Sequence, residues 1–146
     1  MMDLPANDPA RAYIRFYETM TAESLDRLPE VVAPDIRFVD PFNDVSGLAA
    51  MRRVLEKMFA ELGNPRFVVT HCAWAGPTCL LRWRFTAVSR NDGAEWVIVG
   101  MSELEFATDG RVSSHIDHWD AARQVYEKVP VLGALIRFIR RRLAAG

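Results

Sequence analysis

Leu80-Leu81-Arg82-Trp83-Arg84-Phe85-Thr86-Ala87-Val88 is the stretch that decides the architecture. Leu81, Trp83, Phe85 and Ala87 fall on one face, and Arg82, Arg84 and Thr86 on the other. A period of two marks a half-buried strand, because successive side chains of an extended chain point to opposite faces. Downstream, Asn91-Asp92-Gly93 supplies the positive φ angles of a tight hairpin turn. Strands are predicted from Trp96 to Phe106 and from Arg111 to Trp119, joined by a turn at Thr108-Asp109-Gly110. Upstream, Ala75-Gly76-Pro77 reads as a turn and Phe67 to Trp74 as a strand. The second half of the chain is therefore an antiparallel meander.

The first half carries helical spacing instead. Asp8 followed by Pro9 is a helix start, since Asp caps free N–H groups and Pro is tolerated at the first position. Tyr13, Phe16, Tyr17 and Met20 then make one apolar face. A second short helix is predicted to open at Thr21, to carry Leu25, Leu28 and Val32, and to close at Pro34. Residues 36–40 read as a short strand with Ile36, Phe38 and Asp40 on one face. Asn43 to Gly47 reads as a loop whose Ser46 caps a third helix, with Leu48, Met51, Leu55, Met58, Phe59 and Leu62 as its buried stripe. Gly63-Asn64-Pro65 stops it. After Trp119 the chain returns to helix, interrupted at Pro130 and basic at its end through Arg137, Arg140, Arg141 and Arg142. The expected fold class is α+β: three N-terminal helices packed on a curved mixed or antiparallel sheet, plus a C-terminal helix. One domain is expected over residues 1–146, with its core at about 8–120 and a helical tail at 121–146.

Composition narrows the function classes. The 146 residues are half hydrophobic and a quarter charged, with a net charge of -1, so nothing points to a nucleic-acid partner. Cys72 and Cys79 show no zinc spacing and lie in apolar strand sequence, where Cys behaves as a small buried hydrophobe; a cross-strand disulfide requires that they flank one hairpin. The opening Met1-Met2-Asp3-Leu4-Pro5 lacks a basic segment followed by an apolar run, so no signal peptide is expected and the cytoplasm is the expected location.

Three groups of residues point to chemistry. Asp40 ends a strand beside Phe38, Val39 and Phe42; it is either a carboxylate whose proton affinity rises in apolar surroundings or an acceptor for the N–H groups of the next loop. In His115-Ile116-Asp117-His118-Trp119-Asp120, alternation puts His115, Asp117 and Trp119 on one face. A His and an Asp two apart on one face can hydrogen-bond, which orients the imidazole. His115 and His118 point to opposite faces, which weakens a metal reading. Tyr17 needs a hydroxyl partner if buried. In the tail, Leu132, Leu135, Ile136, Phe138 and Ile139 with the arginines read either as a basic amphipathic helix for an anionic membrane surface or as a helix covering its own sheet.

The order of these pieces resembles the nuclear transport factor 2-like superfamily, which includes ketosteroid isomerases, SnoaL-like polyketide cyclases and limonene epoxide hydrolases. Phe16-Tyr17-Glu18, Ala33-Pro34-Asp35-Ile36-Arg37-Phe38-Val39-Asp40-Pro41, Gly47 and the closing His115–Asp120 segment carry the resemblance. It implies a cone-shaped roll around a pocket, and a homodimer; the outer sheet face, with Arg82, Arg84, Glu103 and Glu105, suits either solvent or a charge-paired interface. Asp40-Pro41 is similar to the segment holding the isomerase base, and Tyr17 falls at or next to the place of its oxyanion tyrosine. Ser102 stands where that family has a second acid. His115 and Asp117 occupy the later-strand positions used by SnoaL-like cyclases. The resemblance thus implies a cofactor-independent acid–base enzyme for a small apolar carbonyl-like substrate, with no metal. Asp40 would abstract a proton, Tyr17 and Ser102 would donate to the oxyanion, and His115, oriented by Asp117, would return the proton. Trp119, Phe38, Met20 and Phe59 would line the substrate wall. The rival expectation is a ligand-binding or dimerising module without chemistry.

Overall fold

The computed structural model describes residues 3–145. Met1 and Met2, which open the segment read as lacking a signal peptide, lie outside the described residues, as does Gly146. Helix α1 (Ala10–Glu18) and a 3-10 segment (Glu23–Glu30) lead into strand β1 (Val32–Val39) and the short β2 (Asp44–Ser46). Helix α2 (Leu48–Glu61) follows, then β3 (Leu62–Ala75), β4 (Thr78–Ser89), β5 (Glu95–Phe106) and β6 (Val112–His118). The tail holds α3 (Ala121–Gln124), a 3-10 turn (Tyr126–Lys128) and α4 (Pro130–Leu143). The strands form one open, curved six-stranded sheet in the order β2-β1-β6-β5-β4-β3. Every neighbouring pair is antiparallel except β1 with β6, which is parallel.

The alternation at 80–88 has the consequence expected of it: Leu81, Trp83, Phe85 and Ala87 are buried, while Arg82 and Arg84 are exposed. They meet Tyr13 and Ile14 of α1, Leu25 and Leu28 of the 3-10 segment, and Met51 and Leu55 of α2 in one apolar core. The outer face of β5 is more apolar than its charges suggested, because Val97, Val99 and Met101 are exposed there.

Several boundaries differ from the sequence reading. The second helix is 3-10 and ends at Glu30. Pro29 inside it removes an N–H donor, and Val32 opens β1 instead. Pro34 lies inside that strand, within the irregular stretch where the β1–β6 register shifts between Val32 and Arg37; a residue without an N–H is tolerated where no ladder bond is asked of it. The loop at 43–47 contains a strand: β2 pairs back on β1, with Asp44 accepting from Arg37 at 3.0 Å. Ser46 is therefore in a strand, and the helix cap is Gly47 at φ 94, whose N–H reaches the Ile36 carbonyl at 2.7 Å. Strand β3 starts at Leu62, earlier than Phe67, through an irregularity around Asn64 at φ 49. Cys72 and Cys79 do flank one hairpin, but as free thiols with their sulfurs 3.5 Å apart. Burial pushes the Cys79 thiol well up, which keeps it protonated and unreactive. Among the described residues no helix is long and apolar enough to cross a membrane.

One close approach sets the inner face. Gly100 of β5 lies opposite Trp83 of β4. A Cβ there would fall 2.6 Å from two indole carbons of Trp83 and 3.0 Å from the Cβ of Trp119. The bare backbone lets the indole lie across β5 and donate to Ser102 at 2.7 Å. Gly100→Ala is expected to destabilise the fold by about 1–3 kcal/mol through overpacking. A lower urea midpoint with an unchanged m-value is the readout.

Candidate functional site

The concave face of the sheet and helix α2 enclose a cavity of about 920 Å³. Its walls are mainly apolar: Phe38 from β1, Met58 from α2, Phe67 from β3, Phe85 from β4, and Trp96 and Ile98 from β5. Lys57, Glu61 and Arg90 stand exposed at its rim. The polar residues on the wall include Tyr17, Asp40 and Asp117, with Asn43, Ser89 and Asn91 also lining it. A mostly apolar pocket with a few convergent polar groups is the usual form of a small-molecule site.

A chain of hydrogen bonds lies behind that wall. Alternation puts His115 and Asp117 on the inner face of β6, and His115 Nε2 is 2.7 Å from Asp117 Oδ1. Ser102, in register with Asp117 across the β5–β6 pair, donates to the same oxygen at 2.5 Å. Trp83 Nε1–H donates in turn to Ser102. On the far side, the Tyr13 hydroxyl lies 2.6 Å from His115 Nδ1. With the Nε2 proton given to Asp117, Nδ1 is left to accept from Tyr13. Five side chains from α1, β4, β5 and β6 thus form one connected network, and Asp117 Oδ2 remains outside it.

Tyr17 is the exception among the buried polar groups. It follows Tyr13 by four residues on α1, so both point the same way, and the rings lie 5.0 Å apart. The ring also packs against Phe67 and His115. Its hydroxyl is closed off from solvent yet has no hydrogen-bond partner. Burial holds the pKa of both phenols well above the usual value of 10.0; the charge of Asp117 raises Tyr17 further. Tyr17 is therefore a protonated donor without a well-formed hydrogen bond, although the Tyr13 hydroxyl is close enough to influence its titration.

The other expected site residues divide in two. Phe38, Asp40, Asp117 and Trp119 reach the cavity with Tyr17, whereas Met20, Phe59, Ser102 and His115 are not on its wall. Met20 is buried in the core beyond the end of α1. Phe59 packs against the core with Met51, while Val54, Leu55, Met58 and Glu61 line the cavity. Ser102 and His115 are buried one layer deeper, beside a separate space of about 20 Å³ that Tyr17 and Asp117 also border. Ser102 spends its proton on Asp117, which leaves none for a substrate oxygen. Asp40 is not in an apolar setting. Its Oδ1 accepts from the Phe42 and Asn43 N–H groups at 2.7 and 2.8 Å, and the Asn43 side chain donates to both oxygens at 3.0 Å. It anchors the turn between β1 and β2. Tyr13 and Trp83 belong to the network and had been read only as core residues. The four-residue spacing of Tyr13 and Tyr17 was the available signal, but nothing in it shows that β6 brings a histidine to Tyr13. Among the described residues no group of three side chains is placed to hold a metal ion.

Residues 13–115 match the model of the SnoaL-like domain, more than half of the chain. The chain belongs to the SnoaL-like family. Solved structures agree on the fold. A protein from Shewanella putrefaciens CN-32, named for SnoaL-like polyketide cyclases, superposes with a TM-score of 0.71 at 14% identity, over 88% of this chain and 98% of its own. An NTF2-like protein of unknown function from Exiguobacterium sp. 255-15 gives 0.68 at 17% identity, over 77% and 98%. A protein with a ketosteroid isomerase-like fold from Catenulispora acidiphila DSM 44928, solved with trimethylamine, gives 0.69 at 13% identity, over 86% and 95%. No curated protein matches the chain.

The two tyrosines of this SnoaL-like domain separate by mutation. Tyr13→Phe strips the partner from a buried imidazole nitrogen and is expected to cost about 1–3 kcal/mol in urea unfolding. Tyr17→Phe removes an unpartnered hydroxyl and is expected to leave stability unchanged or raise it.

Alkaline pH gives a further test. Above pH about 10 the unfolded chain loses the Tyr13 and Tyr17 protons while the folded chain keeps them. These two groups alone should then lower stability by up to about 2.7 kcal/mol per pH unit, and Tyr13→Phe/Tyr17→Phe should remove that slope. Urea unfolding between pH 9 and 11 measures it.

Proposed function

We propose that this SnoaL-like domain binds a small apolar carbonyl compound in the 920 Å³ cavity and moves a proton at the carbon next to the carbonyl. The observation that carries the reading is the cavity wall shared by Tyr17 and Asp117, on which Asp117 Oδ2 is left outside the hydrogen-bond network. The Tyr17 hydroxyl is buried behind the same wall, and a small shift of its side chain on binding would bring this donor to a substrate oxygen. Asp117 Oδ2 takes the proton, the electron pair moves onto the carbonyl oxygen, and the Tyr17 O–H donates to the oxyanion. Oδ1, held by His115 and Ser102, fixes the carboxylate in place. In a ketone with a β,γ double bond, returning the proton to the γ-carbon of the dienolate completes an isomerisation; in one with a second carbonyl, attack of the enolate carbon breaks that carbonyl's π bond, its oxygen takes the proton back from Asp117, and a cyclisation is complete. In this reading the role expected of Asp40 passes to Asp117, because four hydrogen bonds tie Asp40 to its own loop.

Deuterium exchange from D2O at the α-carbon, followed by NMR over a panel of cyclic and long-chain ketones, tests the proposal. The wild type is expected to accelerate exchange for the ketones it binds. Asp117→Asn should slow it by on the order of 100-fold or more, and Tyr17→Phe by a similar factor. Asp40→Asn should change it by less than about fivefold. Ketone binding without exchange would make the domain a binding module, and loss of exchange in Asp40→Asn alone would return the base to Asp40.

A further inference from the structure

Helix α4 is attached the wrong way round for a helix that covers its own domain. Gly133 is its one buried residue among those described. A Cβ at Gly133 would lie 2.1 Å from the Glu127 carbonyl oxygen, so the helix backbone rests directly on the 3-10 turn. Arg137 donates to that same carbonyl at 2.7 Å, and Arg140 pairs with the Glu127 carboxylate at 2.7 Å. At about 100° per residue, Gly133, Arg137 and Arg140 share one side. The side that docks is therefore the polar one.

The apolar side is left facing out. Val131, Leu132, Leu135, Phe138, Ile139 and Leu143 are 84, 41, 53, 60, 47 and 82% exposed. They cover an arc of about 140° on the helix surface, which Arg142 enters only in the last turn, where its long side chain can reach out to the headgroup level. A contiguous apolar stripe of this kind marks an interaction surface.

Charge decides what it fits. The helix from Pro130 to Leu143 contains no Asp or Glu. Arg141 and Arg142 make no ion pair among the described residues and are exposed, and exposed Lys128 precedes the helix. Two copies meeting through this stripe would bring together arginines with no carboxylate on either helix to answer them. A layer of anionic headgroups answers them and takes up the apolar stripe as well.

We propose that α4 docks this domain on an anionic lipid surface, lying in the interface with its apolar stripe in the acyl boundary and Arg141 and Arg142 among the headgroups. The same 3-10 turn carries Tyr126, whose ring is 5.9 Å from Phe42 on the cavity wall. The proposal does not depend on the reading of the cavity's chemistry.

Cosedimentation of the full chain with large unilamellar vesicles tests it. The wild type should pellet with phosphatidylcholine–phosphatidylglycerol vesicles at least about tenfold better than with phosphatidylcholine alone, and lose that preference in high salt. Leu135→Glu/Phe138→Glu should abolish pelleting. Arg141→Gln/Arg142→Gln should weaken it by about fivefold per arginine. These side chains are exposed, so circular dichroism and the urea midpoint should stay at wild-type values. Absent pelleting, or equal pelleting on both vesicle types, would overturn the proposal. So would a lower mass of Leu135→Glu/Phe138→Glu in sedimentation equilibrium without lipid, which would show that a second copy covers the stripe.

Discussion

A carboxylate removed from water has to be hydrogen-bonded, and Asp117 meets that requirement through groups delivered by separate parts of the chain. Ser102 reaches it from β5 and His115 from its own strand, β6, while Trp83 on β4 and Tyr13 on α1 hold those two in turn. The network thereby links the middle of the sheet to the first helix. It also fixes the back wall of the cavity, because each member has one geometry in which all its neighbours are satisfied. The glycine at 100 is part of the same constraint, since the Trp83 indole can reach Ser102 only over a backbone without a Cβ.

Tyr17 takes its meaning from that arrangement. It shares a helix face with Tyr13, yet Tyr13 has the histidine and Tyr17 has no partner. A domain that satisfies the neighbouring polar groups so fully and leaves one donor open carries a local cost at that point. Such costs gather where a ligand is to be met. Asp40, the most prominent carboxylate in the sequence, is spent on a turn. The proposed chemistry therefore draws its acid–base pair from α1 and β6.

The tail follows a different logic. Through β6 the apolar residues are turned inward or scattered over a sheet face, whereas α4 turns its apolar residues outward and Arg137 and Arg140 inward to Glu127. Its attachment is polar and narrow, and an apolar surface built this way needs another medium or molecule to be buried.

The amino-acid sequence by itself determined the element types and the sheet faces. Strict alternation at 80–88 and the Asp-Gly turn at 92–93 are local signals, and they hold because side-chain direction follows directly from backbone period. The same rule paired His115 with Asp117. The sequence did not reach the short strand at 44–46 or the irregular register around Pro34, because both depend on what a neighbouring strand offers. Nor did it separate Asp40 from Asp117, or place Met20, Phe59, Ser102 and His115 off the cavity wall. Those outcomes depend on hydrogen-bond partners up to 102 residues away in the chain, as between Tyr13 and His115. A residue's face is a property of its own strand or helix; whether its polar atoms are already engaged is decided only when the other elements have packed against it.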